Sequence, residues 1–520
     1  MSSLPMQFYN TDLIRTAERI AIEDHKISDY MLMERAGFAA FECLTTHFPH
    51  LENIAVFCGK GNNAGDGFVL ARLAFEAHLQ VEVYSLCGIE ALPSAAQQAA
   101  RACSARGIDI QPFRSDLSIQ ADVCVDALLG TGLRGEVQEP VLSAIEWLNR
   151  HEVSVFSLDV PSGLNADTGS VHGPTVIAEH TVTFIGLKQG MLTGIAADYT
   201  GQISVASLGL DDILQKLPVS GYRLSYHDVE AAMIPRLRSG HKGLYGTVLI
   251  VGGDYGMAGA VRLAAEAAYR VGSGLVKVAT RPEHLSAVIS QRPEIMAYPV
   301  QTPDDLMPLI ESATCIAIGP GLGESAWSQA MLQKILASDK PLVVDASALN
   351  LLAKQPQKRQ NWILTPHPGE AGRLLSKTNT EIQVDRFAAI EALQQRYGGV
   401  IVLKGAGTMV KADKELLEIC YAGNPGMATG GMGDVLTGVI ASLWGQGLSA
   451  FDATRLGVIL HATAGDHAAE KSGERGMMAM DLMPVLRILV NPSTMITVEE
   501  ADQLMQTMLL NEYQEIDSGR

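Results

Sequence analysis

From Asn53 to Leu443 the chain alternates short β-branched runs with longer amphipathic stretches, with glycines clustered at the turns and no internal sequence repeat. Strands that alternate with helices imply right-handed crossovers, and hence a parallel sheet with helices on both faces. In a first series, Asn53–Cys58 (NIAVFC), Gln80–Leu86 (QVEVYSL), Asp122–Leu129 (DVCVDALL) and Val153–Val160 (VSVFSLDV) read as strands. Helices are expected between them over Phe68–Leu79, Ala95–Ala105 and Pro140–Arg150, after a helical lead of Thr11–Glu23 and Ser28–Thr46. Periodicity lapses over Asp211–Tyr226, around Pro218 and Gly221. A second series begins at Gly246–Val251 and continues through Leu275–Thr280, Cys315–Ile318, Leu342–Asp345, Trp362–Thr365 and Val400–Leu403, with helices over Ala258–Val271 and Gly433–Leu443. At about 150 residues per domain, the 520 residues are expected to form two α/β domains. These are 1–220 and 225–500, followed by a tail, 501–520, to which no chemistry is assigned.

Composition removes several functional classes. Asp plus Glu number 57 against 39 Lys plus Arg, a net charge of −18, which argues against a scaffold for nucleic acid or anionic membranes. With 47% hydrophobic and 18% charged residues, the chain can bury large cores. No apolar run approaches the roughly 18 residues of a membrane span, and the start lacks the basic and apolar regions of a secretory signal. Seven cysteines, odd in number and without a CxxC pair, fit a reducing cytosol better than a disulfide framework or a zinc site. The 50 glycines are the informative residues, because they cluster at strand-to-helix turns.

Three such turns stand out in the first half. Cys58–Gly67 (CGKGNNAGDG) lies between a strand and a helix, where glycine lets backbone N–H groups approach an anion. Asn62, Asn63 and Asp66 add three polar side chains in five residues; Asx-turn and capping duty is the competing explanation. Asp126 precedes Gly130-Thr131-Gly132-Leu133-Arg134-Gly135, and Asp159 precedes Pro161-Ser162-Gly163. In an open parallel sheet these loops converge outside the carboxyl ends of the strands. Buried there, Asp126 and Asp159 need a cation, hydrogen bonds or a catalytic role. Oxygen donors with one carboxylate suit a hard, weakly charged cation.

CGKGNNAGDG, DALLGTGLRGE and LDVPSGLNADTG together resemble the epimerase domain of the bacterial NAD(P)H-hydrate repair family. That resemblance implies interconversion of the R and S hydrates of NADH and NADPH in a Rossmann-like αβα domain. Asn62, Asn63, Ala64, Gly65 and Asp66, with Gly130, Thr131, Gly132, Leu133, Arg134, Gly135 and Glu136, would contact the hydrate. Asn63, Asp126 and Ser162 would ligate K+, and Asp159 would bind the substrate and act as acid/base. The family often has glycine where this chain has Ala64.

In the second half the strongest motif is Asn424–Gly438 (NPGMATGGMGDVLTG). Gly430, Gly431 and Gly433 lead into an apolar helical pattern, so the helix start can form an anion hole. Asp434 is placed to take a proton from an attacking hydroxyl; N-capping is the competing role. Leu403–Thr408 (LKGAGT) offers Lys404 and two glycines to a nucleotide, or is simply a surface lysine at a hairpin. His367 stands between two prolines in TPHPGE. Gly252–Ala265 and Gly319–Gly323 complete the rim, and Asp345 and Asn350 in VVDASALN are polar groups with turn formation as the alternative.

These motifs resemble the ribokinase-like αβα dehydratase domain of the same repair family. The resemblance implies that ADP phosphorylates the hydroxyl of the S hydrate and phosphate then leaves, giving AMP. Lys404, Gly405, Ala406, Gly407, Thr408 and Gly433 would hold the nucleotide. Gly259, Gly321, His367 and Asp434 would contact the hydrate, with Asp434 as general base. Mg2+ is expected with ADP, although no dedicated carboxylate cage is visible. A homo-oligomer in the cytoplasm, with neither nucleic acid nor membrane as partner, is expected. The alternatives are a vitamin or sugar kinase carrying an accessory domain, and an N-terminal half that only binds or dimerises.

Overall fold

The computed structural model describes residues 4–133 and 135–491; Arg134 and the whole tail 501–520 lie outside the described residues. The chain opens with a two-residue strand, β1 (Gln7–Phe8), and two helices, Thr11–Glu23 and Asp29–His47. There follow β2 (Asn53–Cys58), β3 (Gln80–Ser85), β4 (Ile110–Pro112), β5 (Val123–Ala127), β6 (Ser154–Leu158), β7 (His180–Phe184) and β8 (Gln202–Ala206). These seven form one sheet in the order β4-β3-β2-β5-β6-β7-β8, with every pairing parallel. Both faces of that sheet are covered, and the pleat sends alternate residues to opposite cores. Ile54 and Val56 of β2 pack with Phe68 and Leu70, whereas Ala55 and Phe57 pack with Ile145 and Trp147.

The remaining strands are β9 (Gly221–Arg223), β10 (Thr247–Val251), β11 (Leu275–Thr280), β12 (Met296–Pro299), β13 (Cys315–Ile318), β14 (Leu342–Val344), β15 (Trp362–Leu364), β16 (Val400–Leu403), β17 (Thr408–Ala412) and β18 (Leu417–Cys420). With β1 they form an eleven-stranded sheet, β1-β9-β18-β17-β16-β15-β14-β13-β10-β11-β12. It is parallel from β12 to β16, but β17 runs antiparallel to both of its neighbours, β16 and β18. Only Lys404–Gly407 separate β16 from β17, too few for a helical crossover, so the chain turns back as a hairpin.

The aperiodic Asp211–Tyr226 stretch contains β9, which pairs with β1 on one side and β18 on the other. A strand from before the first helix thus completes the larger sheet. Gly221 permits it, because a side chain there would overlap the Leu417 carbonyl and the buried Phe8 ring. The expected helix at Phe68 begins earlier, spanning Asn62–Glu76. Its glycines serve packing: a Cβ on Gly67 would lie 2.6 Å from that of Ala127, and one on Gly65 would overlap Met33.

Candidate active sites

In the smaller half the strand carboxyl ends open into a cavity of about 580 Å³. Asn62, Asn63, Asp66, Gly130, Thr131, Gly132, Leu133 and Asp159 line it, together with Glu18 and Lys188. Ala64 and Gly65 do not: both are buried where their helix packs against its neighbours. Gly135 and Glu136 also lie outside its lining.

Asp159 directly follows β6 with a φ of 68°, a left-handed conformation that costs a non-glycine residue about 1 kcal/mol or more. Several contacts hold it there. Its N–H donates to the Val182 carbonyl at 2.7 Å. Lys188 Nζ donates to its Oδ1 at 2.5 Å, and the Thr131 N–H reaches Oδ2 at 3.3 Å. The side chain of Lys188 is 1% exposed, and its ammonium also donates to Thr183 Oγ1 and the Phe184 carbonyl. Sequence reasoning missed Lys188; the signal was a lysine four residues after the end of a fully buried strand, His180–Phe184, where burial demands a partner.

Two further carboxyls face the same space. Burial, then the neighbouring Asp159 and Glu18, push the Asp66 carboxyl well above the usual carboxylate range. Burial and then Asp159 likewise raise Glu18.

Beneath the cavity, Asn63, Asp126 and Ser162 form one hydrogen-bonded cluster. Asp126 is fully buried and accepts from Ser157 Oγ, from the Ser162 N–H and Oγ, and from the Leu128 N–H. Burial pushes its carboxyl up, and the Ser162, Leu128 and Ser157 donors pull the other way. Asn63 Nδ2 donates to the Leu129 and Leu158 carbonyls. Ser162 Oγ meets the same Leu129 carbonyl. Asn63 Oδ1 is buried and has no hydrogen-bond partner among the described residues. An orphaned oxygen beside a carboxylate, a hydroxyl and a carbonyl is a donor set that fits a hard monovalent cation.

In the larger half the site is built over a buried ion pair. Lys404 Nζ donates to Asp345 Oδ1 at 2.7 Å, and Thr437 Oγ1 donates to Oδ2 at 2.7 Å. Lys404 is therefore no surface lysine: its side chain is 18% exposed, and that of Asp345 is 2% exposed. Glu370 Oε2 lies 3.8 Å from the same ammonium. Burial pulls the ammonium down, yet Asp345 and Glu370 hold it above the ordinary lysine range. Asp345, left open between turn formation and function in the sequence, is the anchor of the site.

Asp434 is the third residue of the helix Met432–Gly445, whose N-cap is Gly431 at φ 94°. Glycine thus occupies the N-cap position, with no side-chain cap hydrogen bond, and Asp434 lies inside the helix. Burial, and then Asp345, push the Asp434 carboxyl up to about 7, against the pull of Lys404. Gly433 leaves room over the pair: a Cβ there would stand 3.4 Å from Lys404 Nζ and 3.7 Å from Asp345 Oδ2.

His367 N-caps the helix Pro368–Leu375, its Nδ1 accepting from the Gly369 and Glu370 N–H groups. Glu370 returns the bond to the His367 N–H at 2.8 Å, so this capping box sets the ring's direction. Gly259, at the start of the helix Ala258–Arg270, borders open space, while Gly321, at φ 57°, packs against Met257. Asn350 Oδ1 accepts from Arg373 at 3.0 Å. Gly405, Ala406, Gly407 and Thr408 form the β16–β17 turn, closed by Thr408 Oγ1 donating to the Gly405 carbonyl at 2.8 Å. Another cavity, of about 590 Å³, lies among Arg236, Glu266, Arg292 and Arg487, and holds none of the residues selected from the sequence.

Residues 29–190 match the family model described as YjeF-related protein N-terminus, and residues 248–487 match that of NAD(P)H-hydrate dehydratase. The chain is 52% identical over 485 residues to the bifunctional NAD(P)H-hydrate repair enzyme Nnr of Coxiella burnetii, covering 93% of this chain and 99% of that one. It is 45% identical over 490 residues to the enzyme of the same name from Escherichia coli, with 94% and 95% covered. Among solved structures, it is similar to an ADP/ATP-dependent NAD(P)H-hydrate dehydratase from Bacillus subtilis co-crystallised with ATP and Mg2+. The identity there is 29%, with 51% of this chain and 96% of that chain covered and a TM-score of 0.47.

Proposed function

The chain belongs to the bifunctional NAD(P)H-hydrate repair enzymes, and from that premise we propose how its two sites divide the repair. The observation that carries the reading is that two separate strand-end sites each set an aspartate beside a buried lysine network. The Asp159 site epimerises the R and S hydrates of NADH and NADPH. The Asp434 site consumes the S hydrate with ADP.

In the first site Asp159 is the acid/base at the hydrated ring carbon, with Lys188 holding its carboxylate in place. Asn62, Asp66 and Gly130–Leu133 surround the hydrate, and the carry-over to Ala64, Gly65, Gly135 and Glu136 is through backbone only. K+ would be held by Asn63, Asp126 and Ser162, where it would fix the loops that carry Leu129 and Ser162. The buried, unpartnered Asn63 Oδ1 supports that placement.

In the second site Asp434 takes the proton of the substrate hydroxyl as its oxygen bonds to the β-phosphorus of ADP, and the bridging P–O bond breaks to leave AMP. Phosphate then departs with the C–O electron pair, and loss of a ring proton restores the dihydronicotinamide. Hydroxide is a poor leaving group and phosphate a good one, which is what the nucleotide contributes. Lys404, Gly433 and the turn Gly405–Thr408 hold ADP, with Gly259, Gly321 and His367 on the hydrate. Both oxygens of Asp345 already accept hydrogen bonds from Lys404 and Thr437, so Mg2+ would be bound chiefly through the nucleotide's phosphates and would supply charge neutralisation there. We place the enzyme in the cytoplasm as a homo-oligomer. Its seven unpaired cysteines suit a reducing compartment, and no described helix is long and apolar enough to cross a membrane.

The test is one assay on mixed NADH-hydrate epimers. Addition of ADP is expected to return the full reduced-nicotinamide absorbance and to release equal AMP and phosphate. Consumption of the S fraction alone, beyond the spontaneous rate, removes the epimerase assignment.

A further inference from the structure

The turn between β16 and β17 is held from the far side by the other half of the chain. Thr193 Oγ1 lies 2.9 Å from the Gly407 carbonyl and 3.3 Å from that of Ala406, and the Gly194 N–H donates to the Ala406 carbonyl at 3.0 Å. Arg386 Nε donates to the same Thr193 hydroxyl at 2.9 Å. The guanidinium also donates to the carbonyls of Leu403, Lys404 and Gly407.

Arg386 is 1% exposed. Among the described residues no carboxylate pairs with it, and its partners are carbonyls, Thr193 and Gln383. A buried cation without a counter-ion is costly, and simple packing does not require one. What it does here is fix direction. A trans peptide points its N–H opposite its carbonyl. With the carbonyls of Lys404 and Ala406 drawn inward, the Gly407 N–H is turned toward the outer side of the turn, and the Gly405 N–H is held by Thr408 Oγ1 at 3.2 Å. The positive charge behind them raises the potential where an anion would lie.

Both glycines of the turn are required by this arrangement. Gly405, at φ 133°, would place a Cβ 3.1 Å from Arg386 Nη1, and a Cβ on Gly407, at φ 60°, would overlap the Leu192 carbonyl.

We propose that Thr193, from the epimerase half, and Arg386 are positioning residues for the nucleotide of the dehydratase, so that its phosphate-binding turn is complete only when both halves are present. The proposal rests on the assignment of Lys404–Thr408 to the nucleotide. The segment concerned also carries Lys188 five residues upstream of Thr193, so the ion pair of one site and the turn of the other share a short stretch of chain.

The experiment uses the full chain, ADP with Mg2+, and S hydrate in steady state. Thr193→Val keeps the shape but strips the hydroxyl from Arg386 and two carbonyls. It is expected to raise KM for ADP about five- to thirty-fold while KM for the hydrate stays within about two-fold. Thr193→Ser, which restores the hydroxyl, is expected to return KM for ADP to the wild-type value. If Thr193→Val lowers Tm but leaves KM for ADP unchanged, the contact is structural only and the proposal fails. Gly433→Val, inside the assigned nucleotide site, separates the two ways of failing. A raised KM for ADP in Gly433→Val beside an unchanged one in Thr193→Val rejects Thr193 alone. Unchanged values in both reject the nucleotide assignment and the proposal with it.

Discussion

Both halves set an aspartate and a lysine at the carboxyl ends of a parallel sheet, yet they connect them differently. In the smaller half the proposed acid/base is itself in the ion pair: Asp159 lies 2.5 Å from Lys188. In the larger half a second aspartate, Asp345, takes the lysine at 2.7 Å. Asp434 is left beside the pair with a carboxyl pushed up to about 7. The first arrangement keeps a contacting cation on the reacting group. The second reserves the cation for another carboxylate and lets the reacting group exchange a proton near neutrality, where a general base is most effective.

The largest effects are expected from removing each aspartate in turn. Asp434→Asn should reduce dehydration of pure S hydrate by about 10²–10⁴-fold, with R-to-S exchange unchanged by NMR of the hydrate mixture. Asp159→Asn should do the converse, slowing R consumption and sparing the S hydrate. Loss of both activities in either variant contradicts two independent sites. Removing the lysines comes next. Lys404→Met leaves Asp345 buried and unpaired, and is expected to cost about 3–5 kcal/mol of stability. Adding Asp345→Asn should recover part of that loss, giving a non-additive cycle in urea unfolding. Strict additivity would mean that the pair is not what holds Lys404.

How much of this was legible in the sequence depended on whether a residue's role is local. Strand β2 and the helix Thr11–Glu23 were read with their observed bounds, because period-2 and period-3.6 patterns are written in consecutive residues. The Gly–Asp motif put Asp434 at a helix start for the same reason. Lys188 and Asp345 were not selected as site residues, since their partners lie 29 and 59 positions away and pairing across strand ends leaves no spacing to read. β1 was missed for a related cause: two residues become a strand only because Gly221 lets Phe8 lie against β9. Some glycines of the first turn have a role that local spacing does not show, since Gly65 and Gly67 leave no room for a side chain where their helix packs on Met33 and Ala127.

A smaller, graded effect follows from the Asp434 carboxyl. A base with a pKa of about 7 works only when deprotonated, so the dehydration rate should rise with pH, ten-fold per unit below about 7, then level. Stability should move the opposite way. Because the folded carboxyl holds its proton to about 7 while the ordinary value is 3.8, the folded state binds more protons between those limits. Stability is then lost as pH rises through that window. Asp434→Asn should therefore unfold at a higher temperature than wild type at pH 8 and show little difference at pH 4. Equal Tm values at both pH values would mean that Asp434 is not held in its proton-bound form.

The smallest effect expected is that of monovalent cations, and it falls on one site only. The cluster of Asn63, Asp126 and Ser162 meets the cavity through the Leu129 carbonyl and the Asn63 side chain, whereas Asp159 itself is held by Lys188 and the Thr131 N–H. A cation held there, as proposed, would position the loops and would not touch the reacting carbon. Replacing K+ by tetramethylammonium, too large for such a cluster, should slow R-to-S exchange by only about three- to ten-fold. Dehydration of pure S hydrate should not change. Asn63→Leu removes the orphaned oxygen and should abolish the difference between the two salts. If exchange is equally fast in both salts with wild-type protein, the buried Asn63 Oδ1 answers to a water molecule instead, and the two sites differ in their carboxylates alone.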